Sequence, residues 1–364
     1  MILSSFRAHQ FRNIGDCELF FTPGVNLLIG ENAQGKTNVL EGIYLFARGK
    51  SFRGGAEREL TKFGTDGFSL GITFRDERRE QALTYSFEGG SRRREKNGAP
   101  VRLGEMLGVF RAVLFYPEHL QIVKGAPEKR REFLNVAVAG VDTTYLGLYT
   151  KYAKILENRN ALLKQASKGL PVDREELVAW SESLALAATD VYLRRRAYLL
   201  GFAPRAEEQM SAISDEKETL LLTLEADTDK ETPEAVADDY RACFLSHFER
   251  ECAAGCTLFG PHRDDIGILL SGLDARVYAS QGQQRSIVLA LKLAEGEYNR
   301  EKTGDYPVFL LDDVLSELDA SRRAYLLGAG GERQLIVTSC EETMCGAAEN
   351  IIRVSGGNYV SAYR

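Results

Sequence analysis

The sequence predicts an α/β core interrupted by a helical insertion, and three observations carry that reading. Short, largely apolar runs (Val25–Ile29, apolar but for Asn26, with Val113–Phe115, Val308–Leu311 and Leu335–Val337) end at turn or polar residues, as strands buried on both faces do. Amphipathic helical spacing follows the first of these runs and precedes the third. Between about Glu118 and Glu251 the apolar spacing turns mostly helical. The expected organisation is a discontinuous unit of residues 1–117 and 254–364, with 118–253 as a mainly helical inserted lobe carrying a short hairpin.

Taken in order, Phe6–Phe11 and Glu18–Phe21 are β-prone stretches separated by the turn-like Asn13-Ile14-Gly15-Asp16. Val25–Ile29 stops at Gly30, and Val39, Leu40, Ile43, Tyr44 and Ala47 then recur at helical spacing, predicting a helix from Lys36 to about Phe46. Phe68–Phe74 and Ala82–Phe87 alternate apolar with polar and form an expected antiparallel pair. In the insertion, Tyr145, Leu148, Tyr152, Ile155 and Leu162 keep three-four spacing, broken by Arg159; Leu177, Trp180, Leu184, Ala187, Val191 and Tyr198 repeat it. Gly169-Leu170-Pro171 between them predicts an antiparallel hairpin with arms of about 40 Å at 1.5 Å per residue. The same spacing also fits two core helices of a bundle. Leu220–Leu224 and Ile266–Leu270 read as strands, Ile287, Ala290, Leu291 and Ala294 mark a helix, and another is expected near Ser321–Leu327.

Composition bounds the class. Of 364 residues, 44% are hydrophobic and 27% charged, which excludes a disordered chain, a collagen-like fibre and a disulfide-stapled miniprotein. No run approaches the 18 apolar residues of a membrane span, and no secretory leader is expected at the N-terminus. The six cysteines form no CxxC pair, so reduced thiols in a cytoplasmic protein are expected. The net charge of −6 leaves nucleic-acid binding open, because clustering of charge decides it.

Four motifs carry chemistry. Gly30-Glu31-Asn32-Ala33-Gln34-Gly35-Lys36-Thr37 matches G-x-x-x-x-G-K-[ST], with a buried strand before it and a helix after it. Its backbone N–H groups and the helix start suit a triphosphate; Lys36 is expected on the β- and γ-phosphates and Thr37 on Mg²⁺. The run Val308–Leu311 ends in Asp312 and Asp313. At a strand's carboxyl end Asp312 is placed to hold the Mg²⁺ shell and Asp313 to polarise the attacking water, although two acids there also suit a helix cap. Ser280-Gln281-Gly282-Gln283-Gln284-Arg285 leads into a helix, as an anion site or as a plain cap by Ser280. Ser316-Glu317-Leu318-Asp319 follows the acidic pair.

In chain order the four motifs resemble Walker A, signature, Walker B and D-loop of the ABC-type ATPases. That resemblance implies an α/β ABC-type P-loop ATPase head with an N-terminal antiparallel β portion and an inserted helical lobe. It also implies an ATP-dependent homodimer in which one head's signature closes on the other's nucleotide. Phe11-Arg12-Asn13-Ile14, the phosphate loop with Val39-Leu40-Glu41, Lys50-Ser51-Phe52-Arg53, Phe115–Leu120, Val123–Gly125, Lys129–Leu134, Phe259–Ile266 and Asp312–Asp319 resemble, more narrowly, the RecF family. The resemblance implies a cytoplasmic DNA-repair ATPase, with Arg12 and Asn13 also at the nucleotide, that binds duplex DNA and single-strand/duplex junctions, supports recombinase loading and cooperates with the mediator RecR. Two features depart from the broader ABC pattern. The catalytic acid position holds Asp313 rather than Glu, and Thr338-Ser339-Cys340 follows the last core strand with no switch histidine. Gln121 is the one candidate for the glutamine of the Q-loop.

Candidate DNA contacts come in clusters: Arg75, Arg78 and Arg79; Arg92, Arg93, Arg94 and Lys96; Lys129, Arg130 and Arg131; and Arg194–Arg196. Arg92–Arg94 are expected to form one phosphate-contacting stripe, with Arg130 and Arg131 as further candidates. A solvated face is the plain alternative for each cluster. His119 and His262 are expected to be structural, His262 with an alternative place in a nucleotide-sensing loop. The competing functions are the ATPase subunit of a membrane transporter, an SMC-like or Rad50-like ATPase with far longer arms, and a metabolic phosphotransferase that would leave the signature motif idle.

Overall fold

The computed structural model describes residues 1–328 and 333–363. The first elements are β1 (Ile2–Phe11), β2 (Ile14–Phe20), β3 (Val25–Ile29), α1 (Lys36–Arg48), α2 (Glu57–Leu60), β4 (Gly67–Arg75), β5 (Glu80–Glu88), β6 (Ser91–Lys96), β7 (Ala99–Pro100), α3 (Leu103–Met106) and β8 (Ala112–Phe115). There follow α4 (Gln121–Lys124), α5 (Pro127–Val141), α6 (Tyr145–Ala166), α7 (Arg174–Ile213), β9 (Leu220–Glu225), α8 (Pro233–Ser246), α9 (Phe248–Ala254), β10 (Asp265–Leu270), β11 (Leu273–Asp274) and α10 (Ala275–Tyr278). The chain ends with α11 (Gln281–Thr303), β12 (Val308–Asp312), α12 (Ala320–Gly328), β13 (Leu335–Ser339), β14 (Asn350–Ser355) and β15 (Asn358–Tyr363).

Two compact units result: residues 1–120, 212–216 and 281–364, and residues 121–211 and 217–280. The last crossing therefore lies at 280/281, not at the expected 253/254. The reason is β10, which pairs antiparallel with β9 over Asp265–Leu270 and so keeps residues 254–280 in the lobe unit.

The first unit holds two six-stranded sheets. One is antiparallel, in the order β2-β1-β4-β5-β6-β7; the other has the order β15-β14-β3-β13-β12-β8, parallel except for β15. The fully buried β3, β12 and β13 are the apolar runs of the sequence, while β4 and β5 alternate buried and exposed residues as a half-wetted sheet requires. Val39, Leu40, Ile43 and Phe46 of α1 join one core with Phe6, Phe11 and Phe74 of the antiparallel sheet and Leu28, Leu310 and Ile336 of the parallel one. Helix α1 is thereby fixed on the parallel sheet with the phosphate loop at its start.

In the lobe unit α6 and α7 form the expected antiparallel pair, but their arms are unequal. At 22 and 40 residues they run about 33 and 60 Å. Arg159 does not break α6. It is fully buried, donating from Nη2 to Glu251 Oε2 at 2.6 Å, from Nη1 to Thr257 at 2.8 Å and from Nε to Ser181 at 2.9 Å. A buried cation with every nitrogen bonded takes an apolar position of the pattern. β9, one neighbour of β10 in a three-stranded sheet, fulfils the strand read at Leu220–Leu224.

Candidate nucleotide site

The loop from Gly30 to Gly35 joins β3 to α1, and both glycines answer to close approach. A Cβ on Gly30 would stand 2.1 Å from the carbonyl oxygen of Val354. Gly35 has φ +113°, and its Cβ would meet Asn13 Oδ1 and Tyr359 Oη at 2.8 Å. Ala33 is also left-handed, at φ 62°. Left-handed residues in a tight loop turn successive N–H groups into one hollow, which suits an anion. Lys36 is 7% exposed. Its Nζ donates to the Gly30 and Glu31 carbonyls at 2.6 and 2.8 Å and to Cys340 Sγ at 3.3 Å, so the ammonium is held inside the loop.

The acids meet this loop through the strand order. β13 lies between β3 and β12, so Thr338 at its end reaches the end of β12. Asp312 Oδ1 accepts from Thr37 Oγ1 at 2.9 Å and from Thr338 Oγ1 at 2.8 Å. Burial lifts the Asp312 pKa above the ordinary carboxylate value, against the pull of the two hydroxyls. Asp313 is left-handed at φ 53°, and its N–H donates to Thr338 Oγ1 at 2.9 Å. A non-glycine residue held there stores about 1–3 kcal/mol, a feature concentrated at functional sites.

Around these groups lies a cleft of about 880 Å³ whose lining includes Asn32–Asn38, Asp312, Asp313, Arg12, Asn13, Arg53 and Phe63. Arg12 faces the cleft, yet its guanidinium is largely engaged elsewhere. Nε and Nη2 reach Glu41 at 3.0 and 2.6 Å, and Nη1 reaches the Glu59 carbonyl at 2.9 Å. Asn13 accepts from Asn38 Nδ2 at 2.7 Å and stands against Gly35. Sequence reasoning missed Glu41, Arg53, Phe63 and Thr338 as parts of this site. A glutamate on the buried stripe of α1 was the available signal for Glu41, which is 0% exposed. Nothing local marks Phe63, which is fully exposed at the cleft wall.

Gln281–Arg285 open α11, with the exposed Ser280 just before them. Arg285 Nε lies 3.4 Å from Glu317, so the signature helix and the Ser316–Asp319 turn are tied together in the first unit. Asp319 caps α12, accepting from Ser321 at 2.8 Å and from the Arg322 N–H at 2.9 Å, contacts that hold its carboxyl below the ordinary pKa. None of Gln281–Arg285 lines the cleft that holds the phosphate loop. Gln121 opens α4 in the lobe unit.

The basic clusters are divided by the structure. Arg92–Arg94 lie in β6, a strand rather than a turn, so they do not form one stripe. Arg92 pairs opposite Phe87 and Arg94 opposite Tyr85, on the core-ward side, whereas Arg93 is opposite Ser86 on the polar face. Arg92 bonds Glu57 at 2.6 Å, Arg93 bonds Glu95 at 2.6 Å, and Arg94 lies 4.9 Å over the Tyr85 ring. Arg130 is removed from the DNA candidates: it is 3% exposed and forms a two-pronged pair with Asp265 at 2.6 and 2.7 Å. Arg131 is half-buried and donates to the Asp264 carbonyl at 2.9 Å. Arg195 is fully buried against Asp264 at 3.0 Å, while Arg194 bonds Asp142 and Arg196 bonds Glu231.

Both histidines sit in internal contacts. His119 packs edge-on against Tyr116, with ring centres 4.2 Å apart, and burial pushes its pKa well below the ordinary value. His262 bonds Tyr152 Oη at 2.6 Å and the Thr257 carbonyl at 3.1 Å, and burial lowers its pKa to about 4.

Against known proteins, a family model described as the RecF/RecN/SMC N terminal domain matches residues 2–361. The DNA replication and repair protein RecF of Desulfitobacterium hafniense is 39% identical over 351 residues, covering 96% of each chain. The protein of the same name from an Exiguobacterium species is 40% identical over 93% of this chain and 92% of its own. A solved structure of the recombination mediator protein RecF-ATPrS in the RecFOR pathway superposes with a TM-score of 0.92 at 32% identity, covering 99% of this chain and 97% of that one. The Smc head domain of Pyrococcus furiosus, at a TM-score of 0.59 and 18% identity, shares the fold.

Proposed function

This chain is a member of the RecF family, and from that premise we propose that it is an ATP-gated DNA-binding protein of replication and recombinational repair. Two heads engage on ATP, grip DNA and release it after slow hydrolysis. The observation that carries the reading is the contact between Thr37 and Asp312, 275 positions apart in the chain and 2.9 Å apart in space, directly beside Lys36 and Asp313.

Each residue has a distinct task. The loop N–H groups of residues 31–36 bind the phosphate oxygens, and Lys36 turns from the loop carbonyls to the β- and γ-phosphates. Phe63 and the turn of Arg12 and Asn13 form the wall available to the base and sugar. Asp313 orients the attacking water and accepts its proton. Thr37 Oγ1 and Asp312 Oδ1 are paired hard oxygens of the kind Mg²⁺ takes while keeping most of its water, so these two would hold it. When bound, Mg²⁺ neutralises charge on the phosphates.

The signature residues Ser280 and Gln281–Arg285 act in trans. The α11 start is not part of the lining of the phosphate cleft, which supports a reading in which a second copy supplies it and the active form is an ATP-dependent homodimer. The shorter acid at 313 favours weak, DNA-stimulated hydrolysis, suited to a switch. DNA, in duplex and junction form, is the partner, and RecR is the protein partner by family. Among the described residues no helix is long and apolar enough to cross a membrane, and the proposed location is the cytoplasm.

Sedimentation of the full chain with and without ATP, alongside binding to duplex, single-stranded and gapped DNA, tests the reading. ATP should raise the mass to that of a dimer and strengthen DNA binding together. A monomer that holds ATP and DNA equally well in either state refutes it.

A further inference from the structure

The lobe unit carries a cleft of about 670 Å³ that the nucleotide reading leaves unused. One wall is a face of α7 that includes Leu199, Leu200, Ala203 and Pro204; the other is the whole length of β9. Four features of this cleft point the same way.

The first is an open strand edge. β9 pairs with β10 along one side over six residues and ends the sheet order β11-β10-β9, with no second strand neighbour among the described residues. An edge strand offers a row of backbone N–H and C=O groups to another chain unless Lys, Pro or a bulge blunts it. β9 reads Leu-Leu-Leu-Thr-Leu-Glu and has none of these along its length. The second is Pro204 inside α7. Proline has no N–H, so the carbonyl of Leu200, four residues earlier, loses its helical donor. Both residues line the cleft. The third is apolar exposure: Leu200 is 62% and Leu221 54% exposed. The fourth is charge. Glu207, Glu225, Asp227 and Asp229 line the cleft, and its one lining cation, Arg196, is bonded to Glu231.

We propose that this cleft docks an extended segment of another protein, which adds to β9 as a further strand. Alternate apolar side chains of the segment seat on Leu199, Leu200 and Ala203, while flanking Lys or Arg residues meet the acidic rim. β9 is six residues long, about 20 Å at 3.3 Å per residue, which sets the length of segment it can pair. Charge selects this occupant over a second copy of the chain. Edge-to-edge pairing of two β9 strands would set one acidic rim against another.

The probe is a labelled nine-residue peptide alternating Val and Thr, with Lys at both ends, titrated by fluorescence anisotropy into the full chain without nucleotide. A twin peptide with Glu at both ends is the control. The Lys-ended peptide should bind saturably, at least tenfold tighter than its twin, and weaken as salt rises. Leu200→Lys and Glu207→Lys alter exposed side chains, so each should keep the parent far-UV circular dichroism and ATP binding. Each should weaken the Lys-ended peptide at least tenfold. The proposal is overturned if the Lys-ended peptide fails to saturate, if the twins bind alike, or if Leu200→Lys binds as the parent does. It is also overturned if the parent self-associates without nucleotide and Leu200→Lys abolishes that, since the occupant is then a second copy.

Discussion

Glu41→Ala tests the frame on which the nucleotide site stands. Glu41 is 0% exposed in α1 and holds Arg12 through two charged hydrogen bonds of 3.0 and 2.6 Å, with Ser51 Oγ donating to the same carboxylate. Removing one partner of a buried pair costs about 3–5 kcal/mol, because the other charge is left uncompensated. Arg12 keeps 20% side-chain exposure and its bond to the Glu59 carbonyl, so water and that oxygen recover part of the loss. The expected cost is therefore at the low end, about 3 kcal/mol. Glu41→Gln retains an acceptor oxygen and should cost about half as much. The single tryptophan, Trp180, lies in α7, so its fluorescence follows the lobe unit. Urea unfolding of Glu41→Ala should leave the Trp180 transition near that of the parent. Amide exchange in α1 and β1 should accelerate by about two orders of magnitude, 1.4 kcal/mol being tenfold. ATP binding should weaken as well, because the Arg12-Asn13 turn lines the cleft. Exchange in α1 within threefold of the parent would refute the claim that Glu41 anchors this wall.

Lys36→Ala should weaken ATP binding and turnover together, whereas Asp313→Asn should bind ATP as the parent does and lose turnover; equilibrium binding beside a phosphate-release assay separates them, and undiminished turnover in Asp313→Asn removes that residue from the mechanism. Ser280→Arg should bind ATP yet stay monomeric by light scattering, and dimerisation like the parent's would exclude the signature from the interface. On DNA, removing one phosphate-binding cation should flatten the dependence of log K on log salt by about 0.9. Arg92→Ala with Arg94→Ala should therefore flatten it by about 1.8, with Arg93→Ala, on the opposite face of β6, changing it by less than about 0.3; equal slopes for both variants would discard the division by face. In pH titration, His262, held near 4, adds stability that is present above its unfolded value of 6.5 and lost as pH falls toward 4. Asp264, raised to about 6 chiefly by burial, adds stability that is present below its unfolded value of 3.8 and lost as pH rises through 6. Each is worth about 3 kcal/mol at 1.36 kcal/mol per pH unit, with opposite signs. His262→Gln should thus make the urea midpoint of the Trp180 signal rise as pH falls from 6.5 to 4, and a falling midpoint would contradict the assignment.

Much of the catalytic head was legible because its elements follow local rules. A strand buried on both faces is nearly continuously apolar, so β3, β8, β12 and β13 appear as apolar runs broken only by Asn26 and by the polar residues at their ends, and the phosphate loop is a contiguous motif. The contact of Asp312 with Thr37 was within reach once the parallel sheet was inferred, since Asp312 ends β12 and Thr37 lies in the first turn of the helix that follows the carboxyl end of β3. What escaped depends on tertiary neighbours. Thr338 bridges the two only because β13 is seated between β3 and β12, and strand order is not written in periodicity. Arg159 has the look of a fault in a helical stripe because its partner Glu251 is 92 positions away. The lobe boundary shifts for the same reason: β10 carries the strand pattern of the head, and only its pairing with β9 assigns it to the lobe.

The charge clusters show the same physics from the other side. Adjacent arginines in sequence are adjacent in space only where the backbone has no fixed period. In a strand successive side chains point to opposite faces, which parts Arg93 from Arg92 and Arg94. In a helix they turn by about 100° each, which buries Arg195 while Arg194 and Arg196 remain on the flanks of α7. The turn between β4 and β5 escapes both rules. There the N–H groups of Arg78 and Arg79 both donate to Asp76 Oδ1, at 2.8 and 2.9 Å, which fixes the turn while both side chains stay exposed beside the exposed Arg75. This cluster keeps three guanidinium groups within one turn of chain, so it is a second candidate phosphate-contacting surface on the head, beside Arg92 and Arg94 of β6.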